Sequence, residues 1–173
     1  MTPRTLAEIP TPALVVDVDA MDRNIRRMAD FFADSPCKLR PHFKAHKTPE
    51  IARRQLAAGS CTGLTCATVG EAEIASEFCD DLLIANQVIG PDKTSRVAAI
   101  AARGIDIKVA VDSVEGIDQI AAAASVSGAE IGVLVDVNVG MPRCGVQPGE
   151  PAAALARRIA GTPGLILRGA MGY

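Results

Sequence analysis

Tryptophan is absent from this chain of 173 residues, tyrosine occurs once, and aromatic residues make up only 3% of it. A platform for stacking bases needs several rings, and a footprint on nucleic acid needs a basic excess. With 18 Lys+Arg against 20 Asp+Glu and a net charge of -2, neither is present, and no nucleic-acid partner is expected. Long apolar runs are missing too. Stretches such as Ala13–Val16 and Gly132–Val135 fall well short of the roughly 20 residues that span a bilayer, so no membrane association is expected. The opening residues Met1 to Pro10 lack the continuous apolar core of a secretory signal, which makes the cytoplasm the expected location. No C-x-x-C spacing links the five cysteines (Cys37, Cys61, Cys66, Cys79, Cys144), and their odd number fits reduced thiols acting as small buried apolar residues better than a disulfide framework or zinc ribbon. What the chain does have is apolar content, 49% against 22% charged. That excludes disorder and predicts one domain with a substantial core.

Short β-rich runs alternate with helical patterns throughout. The runs are Ala13–Val18, Leu39–Lys44, Gly63–Ala67, Leu82–Ala85, Ile107–Val111, Ile131–Asp136 and Leu165–Met171. Most are continuously apolar, as parallel strands covered on both faces are. Helices are predicted between them. Asp19 is the expected cap of one with the stripe Met21, Ile25, Met28 and Phe32. Thr48-Pro49-Glu50 opens a second that Gly59 closes, and Thr68-x-x-Glu71 reads as a capping box for Val69–Phe78. Pro91–Arg103, Ser113–Ser125 and Pro151–Ala160 follow, with Gly104, Gly128 and Gly161 as stops. Strand, helix and strand in succession imply right-handed crossovers in an α/β fold. A doubly wound sheet would carry a glycine-rich first turn, and no G-x-G-x-x-G follows the first run. A (β/α)8 barrel of the TIM type places its chemistry at the C-terminal ends of strands, where His42, Lys44, Asp136 to Arg143 and Tyr173 fall, and it is favoured on that ground.

The densest polar cluster is Arg40-Pro-His42-Phe-Lys44-Ala-His46-Lys47-Thr48. On a strand, His42 and Lys44 share a face. A lysine among other cations at a barrel mouth can become a nucleophilic amine able to form a Schiff base, and the same residues can equally be a solvated basic loop. His42 and His46 are four apart, but that spacing binds zinc on a helix and here no third ligand accompanies it, so no metal site is expected. Asp136-Val-Asn-Val-Gly-Met-Pro-Arg143-Cys-Gly145 forms a polar loop after a buried strand. Arg143 offers a planar fork for a phenolate or carboxylate, or is a surface charge. Tyr173, the sole tyrosine, stands at the end of a presumed strand and is expected to be a partly buried ring with a wet hydroxyl.

Together, Thr11–Asp17, Arg40-Pro-His-Phe-Lys-Ala-His-Lys47, Ala67-Thr-Val-Gly-Glu-Ala-Glu73, Ile84-Ala-Asn-Gln87, Val139-Gly-Met-Pro-Arg-Cys-Gly145 and Arg168-Gly-Ala-Met-Gly-Tyr173 resemble the N-terminal barrel domain of the fold-type III pyridoxal-phosphate enzymes. They are similar above all to the D-threonine aldolase, D-3-hydroxyaspartate aldolase and D-serine dehydratase branch, and more distantly to alanine racemase. The resemblance implies a pyridoxal 5'-phosphate lyase acting on small D-3-hydroxy amino acids, with Lys44 as the Schiff-base lysine. It implies that Arg143 contacts the cofactor's phenolic oxygen or the substrate carboxylate, and that Tyr173 stands beside the pyridine ring. Dehydration or racemisation on the same fold, and a non-catalytic pyridoxal-phosphate-binding protein, are the alternatives.

Such a barrel usually takes about 250 residues. With the first run outside the barrel, about six of eight strands are expected, and residues 1–173 are expected to be the N-terminal barrel portion of a longer enzyme. The remainder would supply a glycine-rich phosphate cradle and a β domain holding a divalent metal, and the complete enzyme is expected to be a homodimer. Expressed alone, the 173 residues are expected to leave sheet edges open, and the inner faces of Ile131–Val135 and Leu165–Leu167 uncovered.

Overall fold

The computed structural model describes residues 5–173. Five parallel strands form one sheet in chain order: β1 (Leu64–Cys66), β2 (Asp81–Gln87), β3 (Asp106–Val111), β4 (Ile131–Val137) and β5 (Leu165–Gly172). Each crossover moves the chain one place in the same direction. A doubly wound sheet reverses direction at a switch point, so this order decides for the singly wound, barrel-type arrangement, left incomplete at five named strands. The crossover helices are α3 (Val69–Ala75), α4 (Pro91–Ala102), α5 (Val114–Ser127) and α6 (Glu150–Ala160), preceded by α1 (Val18–Phe31) and α2 (Pro49–Ala57).

Alternation along the strands separates two faces. Ile107, Val109 and Val111 of β3 and Ile131, Val133 and Val135 of β4 join the core with Val97 of α4, Ile117 and Ile120 of α5 and Ile159 of α6. Each such side chain contributes about 1.5–3 kcal/mol on burial. Ile131, Val133 and Val135 therefore face the helices on the outer side of the sheet, while Leu134 on its inner side is only partly buried. The opposite face carries Lys108 on β3, then Gly132, Leu134 and Asp136 on β4, which makes it polar at both ends of the strands.

Three sequence expectations are corrected. Residues 13–17 form no strand: Leu14, Val15 and Val16 are exposed, with no neighbouring strand among the described residues to complete a ladder. The helix starts at Val18 because Asp17, not Asp19, is the cap, its carboxylate accepting from the Ala20 N–H at 2.9 Å. The run Leu39–Lys44 is reduced to two isolated bridges, Leu39 with Cys61 and His42 with Thr65. Lys44 lies beyond them in a 3-10 turn, Phe43–Ala45. The third correction concerns caps. Thr68 accepts from the Glu71 N–H at 3.2 Å as the capping box requires, but the Glu71 carboxylate turns to the Ala67 N–H at 2.7 Å, and the helix ends at Ala75, short of Phe78.

Candidate functional site

Because all strands run in parallel, their C-terminal ends lie along one edge, and the polar residues that interrupt the apolar runs collect there. Lys44 reaches that edge through its neighbours. The Thr65 N–H bonds to the Pro41 carbonyl at 2.8 Å, holding the chain beside β1. Phe43 then plugs the core at 1% exposure, edge-on to the His46 ring, and the backbone must turn. The turn leaves Lys44 exposed, with its own N–H donating to His42 Nδ1 at 3.3 Å. Burial, with Lys44 nearby, lowers the His42 pKa below the usual value, so the imidazole stays neutral at physiological pH.

Three of the basic residues of this run, Lys47, His46 and Lys44, have different fates. Lys47, at a positive φ of 51°, places Nζ 3.5 Å from the buried Glu71 carboxylate. His46 is occupied at both ring nitrogens, Nδ1 accepting from the Thr48 N–H at 3.0 Å and Nε2 meeting Gln55 Oε1 at 3.2 Å. Lys44 forms no ion pair among the described residues. It is the unengaged cation of the cluster.

Farther along the same edge, Gln87 of β2 reaches over β3. Its Nε2 donates to Asp112 at 3.1 Å and to the buried Asp136 of β4 at 2.7 Å. Asp112 also accepts from the Gly145 N–H at 3.0 Å, and the Val146 N–H bonds to the Asp136 carbonyl at 3.0 Å. These bonds dock the loop after β4. Gly145 approaches so closely that a Cβ there would lie 2.8 Å from the Asn138 nitrogen, and its φ of 93° is open to few other residues. Docking brings the Arg143 guanidinium 4.7 Å above the Tyr173 ring, a cation–π pair that lines a small cleft with Asp136, Met141 and Cys144.

Of the residues singled out in sequence, Arg143 and Tyr173 thus meet directly. Lys44 shares their edge of the sheet but belongs to its opposite side in strand order. His46 does not pair with His42. Gln87 and Asp112 had no assigned role in the sequence, although each is a polar residue just past or at the end of an apolar run, and Glu71, expected as a capping-box acid, instead holds the Ala67 N–H and Lys47. Cys66 and Cys79 are buried as expected, the Cys66 thiol pushed up to about 12 by burial. Cys37 is exposed and Cys61 and Cys144 lie between. No helix among the described residues is long and apolar enough to cross a membrane.

Residues 16–173 match the family described as alanine racemase, N-terminal domain. The chain is 40% identical over 169 residues to a D-threonine aldolase from Arthrobacter sp, covering 97% of this chain and 44% of that protein. It is 36% identical over 168 residues to a 3-hydroxy-D-aspartate aldolase from Paracoccus denitrificans, covering 96% and 43%. The crystal structure of D-threonine aldolase from Filomicrobium marinum superposes with a TM-score of 0.92 at 42% identity, over 95% of this chain and 44% of that one. The chain therefore spans less than half the length of these relatives. A family match that starts at residue 16 and runs to the last residue, on a singly wound parallel sheet, makes the chain a member of the alanine racemase N-terminal domain family, within the fold-type III pyridoxal-phosphate enzymes.

Proposed function

We propose that this chain is the barrel portion of a pyridoxal-phosphate-dependent carbon–carbon lyase that cleaves D-3-hydroxy amino acids to glycine and an aldehyde, as a D-threonine aldolase does. The observation that carries this reading is Lys44. Its amine has no ion-pair partner among the described residues, at the edge of the sheet where the strands end, while Lys47, three residues on, is held by Glu71.

The donor set suits the cofactor. A primary amine is what an aldehyde carbon takes up, and the stacked Arg143–Tyr173 pair offers a cation and a flat face to an aromatic ring bearing a phenolate. When bound, pyridoxal phosphate supplies an electron sink for the pair released at Cα. His42 is kept neutral beside Lys44 and can take up a proton there. Gln87, Asp112 and Asp136 keep the Arg143 loop against the sheet, so the guanidinium does not drift when a ligand arrives. We place the phosphate cradle and the divalent metal outside this chain; among the described residues no three His, Cys, Asp or Glu side chains are grouped to hold a metal.

The test uses the full-length protein with pyridoxal phosphate. Borohydride reduction and peptide mapping should find the pyridoxyl group on Lys44. Label on Lys47 with Lys44 unmodified rejects the assignment. D-Threonine and D-3-hydroxyaspartate should each yield glycine; release of ammonia and an oxo acid would move the protein to the dehydratases.

A further inference from the structure

The segment that delivers Lys44 is weakly held by backbone. Leu39 exchanges hydrogen bonds with Ser60 and Thr62 at 2.8 and 2.9 Å, Thr65 bonds to Pro41, and nothing resembling the continuous ladders of β2 to β5 joins it to the sheet. Its side chains supply what the backbone lacks. Arg40 passes over β1 and grips Asp81, the first residue of β2, with both forks of its guanidinium: Nη1 to Oδ1 at 2.6 Å and Nη2 to Oδ2 at 3.0 Å, with Nη1 also 3.3 Å from the Asp81 carbonyl. The crossing is possible because residue 63 has no side chain. A Cβ at Gly63 would lie 2.6 Å from Arg40 Nη1 and 2.2 Å from the Asp81 carbonyl oxygen.

Asp81 is itself anchored. Lys108 of β3 donates to its Oδ1 at 2.7 Å and to the Asp106 carbonyl at 3.1 Å and forms an ion pair with the Asp106 carboxylate at 2.7 Å, and Asp106 accepts from Arg168 of β5 at 3.0 Å. The signs alternate from the Lys44 segment to the last strand, across the end of the sheet opposite the functional edge. Gly132 leaves room where the ladder passes β4, since a Cβ there would meet Lys108 Cγ at 2.7 Å and Arg168 Cγ at 3.1 Å.

We propose that Arg40 is a positioning residue for Lys44: its two-pronged clasp on Asp81, backed by Lys108, fixes the segment 39–47 against the sheet and so sets where the amine stands. Three residues separate the clasp from Lys44, and among them Phe43 is locked in the core, so a displacement at Arg40 is passed on to the turn. The role assigned to Lys44 rests on the function proposed above; the clasp does not. An Arg serves here where a Lys would not, because only the planar fork can satisfy both carboxylate oxygens at once.

Hydrogen–deuterium exchange on the full-length protein without added cofactor tests the clasp, because local opening reports how firmly a segment is held. In Arg40→Met, the amides of residues 39–47 should exchange faster by about tenfold or more. Arg40→Lys, which keeps the charge and is the fallback if the methionine variant does not fold, should accelerate the same peptides by a smaller factor. Arg168→Met removes an ion pair at the other end of the ladder and should leave residues 39–47 at the parent rate. Parent-like exchange over 39–47 in both Arg40 variants overturns the proposal, and so does equal acceleration in Arg168→Met, which would make the ladder a general stabiliser. With pyridoxal phosphate added, borohydride labelling of Lys44 should proceed more slowly in Arg40→Met than in Arg168→Met. A parent protein that never labels at Lys44 would sink the proposed function while the exchange data still judge the clasp.

Discussion

At the N-terminal ends of the strands, Arg40, Asp81, Lys108, Asp106 and Arg168 alternate in sign, and every charge has a partner within 3.0 Å. At the C-terminal ends, apart from the Lys47–Glu71 pair, the pattern is reversed. Asp112 and Asp136 face a neutral amide, that of Gln87, while the cations Lys44 and Arg143 have no carboxylate partner among the described residues. A charge whose counter-ion is built in stabilises geometry. A charge without one is available to a ligand, at some cost to stability. One sheet thus keeps its structural and its reactive electrostatics at opposite ends, as barrel enzymes separate stability from chemistry.

The largest effect should come from obstructing the ladder. Gly63→Ala puts a Cβ into the Asp81 carbonyl, a backbone atom that cannot swing aside, and should cost about 3 kcal/mol in denaturant unfolding. Gly132→Ala meets the stems of Lys108 and Arg168, with the nearest backbone atom, the Ile107 carbonyl oxygen, at 3.2 Å against 2.2 Å for the Asp81 oxygen at Gly63, and should cost less. Equal costs would mean that the ladder tolerates displacement anywhere.

Removing the central anion comes next. Burial by itself would raise the Asp81 pKa, but hydrogen bonds from Arg40 and Lys108 outweigh it and hold the carboxyl below its ordinary value. A carboxylate with a depressed folded pKa contributes stability that is complete above its unfolded pKa of about 3.9 and is lost as pH falls through the lower folded value. Asp81→Asn should therefore cost about 2 kcal/mol at neutral pH and flatten the acid limb of the stability curve. An acid limb identical to the parent's would contradict the clasp's electrostatic character.

At the opposite end, Gln87→Leu removes the donor shared by Asp112 and Asp136 and leaves a buried carboxylate without its amide. About 1–2 kcal/mol of stability should be lost, and the amides around Arg143 should exchange faster. Faster exchange at residues 39–47 instead would mean that the two ends of the sheet are coupled.

Much of this was legible in the sequence for a physical reason. Parallel strands covered on both faces must be continuously apolar, so β2 to β5 announce themselves, and Arg143 and Tyr173 stand out as polar residues at the ends of such runs. What was not legible depends on partners far away in the chain. Ala13–Val16 has the composition of a strand, but a strand is defined by its neighbour, and none lies beside it among the described residues. Lys44 continues a β-rich run, yet Phe43 finds the core and forces a turn. Arg40 looked like one more charge in a basic cluster, because Asp81 lies 41 residues away and the glycine that lets them meet lies between them.

The smallest effect probes the neighbourhood of Lys44 itself. His42 has its pKa lowered first by burial and then by the positive charge of Lys44, while Glu71 and a backbone hydrogen bond at Thr65 work in the opposite direction. Lys44→Ala removes one of the two depressing influences and leaves burial nearly intact. The His42 midpoint, read from imidazole proton shifts in NMR, should rise part of the way toward about 6.5. The sign for stability follows: a histidine whose folded pKa lies below its unfolded one loses stability as pH falls through that window, because the unfolded chain takes up the proton first. Lys44→Ala should therefore soften the loss of stability below neutrality. Lys47→Ala should shift His42 less, since the charge it removes is already balanced by Glu71 at 3.5 Å. A His42 midpoint that moves more with Lys47 than with Lys44 would reverse the assignment of the free and the engaged lysine, and with it the choice of the amine that meets the cofactor.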